Sequence, residues 1–210
     1  MERRDTKQII IDEALELFAT NGYDGVTVAD IAAAVGIKAA SLYKHYKSKQ
    51  DIFDSIFVKA ADGYKEMTDR LGIDGHVFEN DVELFAAMGT DMLIQGGTAL
   101  FQYFLHDETT RKLRRMLTIE QYKNPSVSKL LVAQYIDGPL DYQSAVFRAF
   151  IGLGTMKNAD VHIAAMHFYA PIYLMLCLCD ACPEREPEAL ELIKQHILQF
   201  NKLYMLGEAT

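Results

Sequence analysis

Thr27 to Lys49 reads TVADIAAAVGIKAASLYKHYKSK. Val28, Ile31, Ala32 and Val35 recur at helical spacing, and Thr27 with Asp30 three residues on is a capping-box start. Gly36 ends that helix. A second apolar stripe, Ala39, Leu42 and Tyr46, begins after only Val35-Gly36-Ile37, so a further short helix is expected over Lys38–Tyr46. Two short helices joined by so little chain cannot lie antiparallel. They must cross steeply, which is the helix-turn-helix arrangement with glycine in the turn.

The flanks complete a three-helix unit. Ile11, Ala14, Leu15 and Phe18 place an amphipathic helix over Asp5 to about Asn21, stopped at Gly22. Ser48 with Asp51 forms a second capping box, opening a long helix through Ile52, Phe53, Ile56 and Phe57 toward Leu71.

Charge gives the short third helix its chemistry. The chain has a formal net charge of −8, yet Lys38–Lys49 holds four lysines and His45 with no acid. Residues 1–55 carry 7 Lys+Arg and 9 Asp+Glu, so a polyanion site in this region must be local. On a wheel of about 100° per residue, Ala39, Leu42 and Tyr46 face inward. Lys38, Ala40, Ser41, Tyr43, Lys44, His45 and Lys47 are left outside, with small Ala40 near the middle of that face. Lysines attract phosphates without regard to sequence, hydroxyls and imidazole hydrogen-bond at fixed positions, and a helix of this width fits the major groove of B-DNA. Lys38 opposes the helix dipole at a cost of about 0.3 to 1 kcal/mol, a placement that suits a nearby phosphate.

These residues, continued to Phe53 as TVADIAAAVGIKAASLYKHYKSKQDIF and preceded by Phe18-x4-Tyr23, resemble the helix-turn-helix signature of the TetR (tetracycline-repressor-like) family of bacterial regulators. The likeness spans about Ile10 to Phe53. It implies an all-α chain, with a three-helix DNA-binding domain over residues 1–47 and a helical ligand-binding and dimerisation domain over 48–210. It also implies a homodimer whose third helices enter successive major grooves of a palindromic double-stranded operator. By matching position, Thr27 and Lys49 would bind phosphates from helix N-termini and Tyr43 would reach another. Lys38, Ala39, Ser41 and His45 would lie near bases or the adjacent backbone. Two positions depart from the family: Lys38 stands where a capping serine is common, and Ala40 where glycine is common.

Composition bounds the rest. Half of the 210 residues are hydrophobic and five are proline, which favours helices over sheet. Three cysteines with no signal peptide speak against a secreted disulfide framework, and a cytoplasmic location is expected. The longest apolar run, Phe168–Cys179, is shorter than a membrane span and contains Pro171, so no membrane is expected as partner. Cys177, Cys179 and Cys182 cannot meet one ion on a helix, because 177 and 179 point about 200° apart. No metal, cofactor, nucleophile motif or phosphate loop is read, and an enzyme is not expected.

Beyond Leu71 the pattern gives helices over Asp81–Gln95, Thr98–Leu105, Glu108–Gln121 (basic on one face), Ser126–Ile136, Tyr142–Leu153, Ala159–Ala181 and Glu186–Leu206, with a turn at Asp137-Gly138-Pro139. Leu190, Ile193, Ile197, Phe200 and Tyr204 step by three and four along the last helix. The helix before it, with Phe168, Ile172 and Leu176, is apolar nearly all round. These eight residues are the expected dimer surface, as four helices in an isologous interface. An adaptable apolar pocket for an unknown small-molecule effector is expected from Met88, Met92, Phe101, Tyr103, Phe104, Met116, Tyr122, Phe147, Met166 and Tyr173. The competing reading is a ligand-independent adaptor of the same architecture.

Overall fold

A computed structural model of the chain describes residues 5–74, 81–82, 84–85 and 89–206, and its regular elements are helices. They divide into two compact units, Met1–Tyr64 with Asp107–Leu131, and Lys65–His106 with Val132–Thr210.

In the first unit, α1 (Thr6–Asn21) is capped by the Asp5 carboxylate and closed at Gly22, whose φ of 77° suits a residue without Cβ. The expected capping box forms at α2 (Val28–Val35): Thr27 Oγ1 accepts from the Asp30 N–H at 3.1 Å, and Asp30 accepts from the Thr27 N–H at 2.8 Å. Gly36, left-handed at φ 76°, ends the helix. The third helix is shorter than its stripe suggests. Only Ala39–Leu42 (α3) is α-helical, because Lys38 supplies no side-chain cap and the chain then tightens, with Lys44 N–H donating to Ser41 O and His45 N–H to Leu42 O. The inward side still holds as expected, Leu42 and Tyr46 being buried and Ala39 half-buried.

Helix α4 spans Lys49–Leu71. Phe53 meets Phe18 and Tyr23 edge-on at ring distances of 6.3 and 4.8 Å, and Lys59 pairs with Asp12, so α4 lies antiparallel to α1. Helix α6 (Glu108–Glu120) begins at an Asp107 cap and packs along α1 through buried Leu113, Met116 and Leu117. That packing draws Asp107–Leu131 into the first unit, whereas a division at residue 47 would leave it in the second.

The second unit contains α5 (Thr90–His106), α8 (Gly138–Gly152), α9 (Val161–Ala181) and α10 (Glu186–Tyr204). The two segments expected over Asp81–Gln95 and Thr98–Leu105 are not separate at their junction: α5 runs unbroken through Gly96-Gly97. A helical glycine costs about 1 kcal/mol relative to alanine, and at Gly97 the reason is space, since a Cβ there would lie 3.1 Å from Ile197 Cδ1. The expected turn at Asp137-Gly138-Pro139 is also absent. After α7 (Pro125–Val132) the chain makes one π-helical turn, Ala133–Asp137, and continues directly into α8. Widening the turn lets Gly138 N–H reach Ala133 O and accommodates Pro139, which has no N–H to give. The Tyr169 hydroxyl donates to Tyr135 O in that turn at 2.8 Å.

Two apolar clusters hold this unit. Phe101, Leu105, Leu176, Cys179, Ala189, Ile193 and Ile197 join α5, α9 and α10. Val146, Phe147, Phe150, Met156, Ala164, Ala165 and Phe200 join α8, α9 and α10, with the Phe200 ring stacked on Phe147 at 5.2 Å. Thr155–Lys157 pairs with the end of α10 through Leu206 N–H to Thr155 O and Lys157 N–H to Tyr204 O.

Candidate nucleic-acid interface

The outward residues of the third helix form one surface. Lys38, Ala40, Tyr43 and Lys44 are exposed, Ser41 and His45 half-exposed, and the Tyr43 side chain is 55 % exposed. Leu42 and Tyr46 fix this surface from behind. The Tyr46 hydroxyl donates to Lys7 O on α1 at 3.2 Å, and burial raises the pKa of that phenol.

Lys49 is engaged within the protein. Its Nζ donates to Tyr23 O and Val26 O, both at 2.9 Å, and lies 4.1 Å from the centroid of the Tyr23 ring. Tyr23 is itself packed on Phe18 and Phe53 and donates its hydroxyl to Gln50 Oε1. One ammonium at the α4 N-terminus thus ties down the loop that delivers Thr27 to the start of α2, leaving one of its three N–H donors for an outside anion. Nothing in the composition of Tyr23–Val26 signals these carbonyl contacts.

Thr27 is engaged too. Its N–H and its hydroxyl both donate to Asp30 Oδ2, at 2.8 and 2.6 Å, which holds the Asp30 carboxyl below its ordinary pKa. The first-turn N–H groups of Val28 and Ala29 are the orphan donors at this helix end.

Residues 10–56 match the family of bacterial regulatory proteins called tetR. The N-terminal segment of the chain is thus similar to the DNA-binding domain of the TetR family. Over 48 residues it is 54 % identical to IcaR of Staphylococcus aureus strain Newman, a helix-turn-helix negative transcriptional regulator of the biofilm operon icaADBC. That match covers 23 % of this chain and 26 % of IcaR, so the chain aligns with about a quarter of the relative. Likeness over the full length is one of fold. A Mesorhizobium loti protein described as a TetR-family transcriptional regulator superimposes with a TM-score of 0.68 at 19 % identity, covering 96 % of this chain and 97 % of that one. SmeT, the repressor of the Stenotrophomonas maltophilia multidrug efflux pump SmeDEF, superimposes with a TM-score of 0.66 at 19 % identity, covering 99 % and 94 %. SmeT has also been solved as a triclosan complex.

The expected effector residues fall in both units and in different surroundings. Phe101 and Phe147 are buried in different clusters of the second unit, Tyr103 meets Phe104 edge-on at 5.6 Å, and Tyr173 stacks on Tyr169. Met116 and Tyr122 belong to the first unit, the former wholly buried and the latter in water. Met92 and Met166 are solvent-exposed, and Met88 lies outside the described residues. The second unit carries an open groove of about 510 Å³ between α5 and α10, walled by Asp91, Gln95, Thr98, Leu190, Glu191 and Lys194. None of the ten residues lines it.

The expected dimer residues lie largely against their own chain. Leu176, Ile193, Ile197 and Phe200 are buried within their own chain, and Phe168, Ile172, Leu190 and Tyr204 are half-buried beside them. The heptad-like seam of α10 is the side facing α5 and α9. The exposed apolar residues are others: Ile163, Met166, Ala170 and Leu174 at steps of three and four along α9, with Leu192, Leu203 and Leu206 at and beyond α10. The 3–4 spacing on α9 was present in the sequence but hidden, because the helix is apolar on its other sides as well. Among the cysteines, Cys177 is exposed and Cys179 buried, in keeping with their opposite directions on α9. Burial, then the nearby Glu186 charge, raises the Cys179 pKa.

Proposed function

We propose that this chain is a DNA-binding transcriptional repressor, acting as a homodimer on a palindromic operator and released by a small-molecule effector held in its C-terminal part. The carrying observation is the outward face of Lys38–Tyr46, cationic and hydroxyl-rich in an acidic chain, inside a segment 54 % identical to the matching part of a negative regulator. Ala40, Ser41 and His45 read base edges or the adjacent backbone, and Ala39, half-buried, stands at the edge of that surface. Tyr43, Lys44 and Lys38 hold phosphates, with Thr27 and Lys49 at helix N-termini on either side.

The dimer follows from the exposed stripe on α9. Leu174 is 62 % exposed, and a row of such residues costs free energy in water until a second copy covers it. Recognition segments that enter successive major grooves lie about 34 Å apart, one turn of B-DNA. The effector is supported by the triclosan complex of SmeT, a protein of the same fold. It shifts the equilibrium only to the degree that it binds the DNA-incompetent form more tightly.

Selection of bound sequences from a random duplex pool tests the reading. A palindromic consensus with half-sites one turn apart is expected, and recovery of no preferred sequence overturns it. Sedimentation should show a dimer for the wild type and a monomer for Leu174→Glu. A monomeric wild type removes the two-fold model.

A further inference from the structure

Helix α6 ends beside the loop that joins α1 to α2. It runs parallel to α1: Lys112 pairs with Glu16 along its length, and at its end a Cβ on Gly22 would fall 1.8 Å from Glu120 Oε1. Gly22 opens the loop whose Tyr23 and Val26 carbonyls Lys49 holds, and that loop ends at Thr27, the N-cap of α2. The turn after α6, Gln121-Tyr122-Lys123-Asn124, therefore begins beside Gly22, where the loop that leads to the α2 N-terminus opens.

This turn is chemically unlike its chain. Tyr122 is 87 % exposed, more than any other large apolar or aromatic residue among those described. Lys123 is exposed, and among the described residues it has no ion-pair partner. Asp107–Leu131 carries six Lys+Arg against three Asp+Glu in a chain of net charge −8. Of those three acids, Glu120 is buried and Glu108 is paired with Lys112. A tyrosine ring left in water beside an unpaired cation fits an interface with one apolar and one polar requirement. A phosphodiester strand meets both, with sugar against the ring and phosphate against the hydroxyl and ammonium.

We propose that Tyr122 and Lys123 make a further DNA-backbone contact, outside the helix-turn-helix. The inference rests on the DNA reading given above. Lys123 Nζ neutralises a phosphate flanking the one held at the start of α2, and the Tyr122 hydroxyl donates to the same strand. The contact carries no base information, so it strengthens operator and random duplex alike.

Salt titration of duplex affinity separates this contact from general weakening. Each neutralised phosphate contributes about 0.9 to the slope of log K against log salt. Lys123→Ala should reduce that slope by about 0.9 for each protomer bound, on operator and random duplex equally. Tyr122→Phe should weaken binding about threefold to tenfold at fixed salt and leave the slope alone. Arg111→Ala, on α6 but about 14 Å before Glu120 at 1.5 Å per residue, should match the wild type. If the wild type binds duplex and Lys123→Ala keeps its full slope, this inference alone falls. If the wild type binds no duplex at all, it falls together with the reading beneath it. Both residues are exposed, so circular dichroism of the variants should match the wild type.

Discussion

Helix α3 of the first unit and helix α9 of the second both turn one face outward, and only the orientation of the first could be read. Around Leu42 and Tyr46 the outward positions are lysine, serine, tyrosine and histidine, so polarity alone separates inside from outside. Around Ala164, Ala165, Leu176 and Cys179 the outward positions are Ile163, Met166, Ala170 and Leu174, as apolar as the inward ones. A sequence pattern reveals the orientation of a helix only when its other face is polar. Where the other face is apolar as well, the pattern shows that a helix forms and not which way it points.

The contrast can be broken most forcefully at the apolar cores. Phe200, 4 % exposed and in ring contact with Phe147, Phe168 and Tyr204, belongs wholly to the second unit. Phe200→Ala should cost about 3 to 5 kcal/mol. Hydrogen exchange should show protection lost across α8, α9 and α10 while α1 to α3 keep theirs. Equal loss in the helix-turn-helix amides would show that the units do not differ in the way described.

Next in size is Gly22, where the first unit departs from what its sequence discloses. The stop signal itself was legible, but not that Glu120, nearly a hundred residues on, packs over the glycine. Gly22→Ala combines a φ of 77° with overlap on the Glu120 carboxylate, and a loss of about 2 to 3 kcal/mol in urea unfolding is expected. Adding Glu120→Ala should recover part of that loss, since it removes the overlap and a buried carboxylate whose Oε2 has no hydrogen-bond partner among the described residues. Strictly additive losses in the double variant would show that the two residues do not touch.

Legibility thus followed the range of the interaction. The Thr27–Asp30 capping box, the Gly36 turn and the inward Leu42 and Tyr46 are set by neighbours within a few residues and were read correctly, whereas at Ser48 only half of the expected box forms: Asp51 N–H donates to Ser48 Oγ, but the Asp51 carboxylate accepts from Lys47 N–H. Gly97 against Ile197 and the packing of Asp107–Leu131 on α1 depend on partners far along the chain and left no local trace. The effector residues were chosen by type, and type does not say where a side chain ends up: Met92 lies in water and Met116 in a sealed core.

Thr27→Ala tests the local part. Loss of the cap should cost about 1 kcal/mol in the first unit, without change in α9 or α10 protection. The acid limb should shift as well. Asp30 has its pKa lowered from 3.8 by its bonds from Thr27, so its contribution is fully present above 3.8 and is lost as pH falls through the lower, folded value. The variant should therefore lose less stability than the wild type on descending through that window. An unchanged difference between the two at pH 5 and below pH 3 would contradict the assignment.

The smallest expected effect is also the most discriminating, because it sets stability against function at a single residue. Lys38 occupies the N-cap of α3 without capping it, and its cation sits at the positive end of the helix dipole. Lys38→Ser should add a side-chain acceptor for the orphan N–H groups and raise stability by about 0.5 to 1 kcal/mol, while lowering affinity for every duplex by the worth of one phosphate contact. A residue retained only for solvation would give the first effect without the second. If thermal stability rises and duplex affinity and its salt slope stay level, Lys38 is not at the backbone, and the cationic face of the recognition segment shrinks to Lys44 with the hydroxyls of Ser41 and Tyr43 beside it.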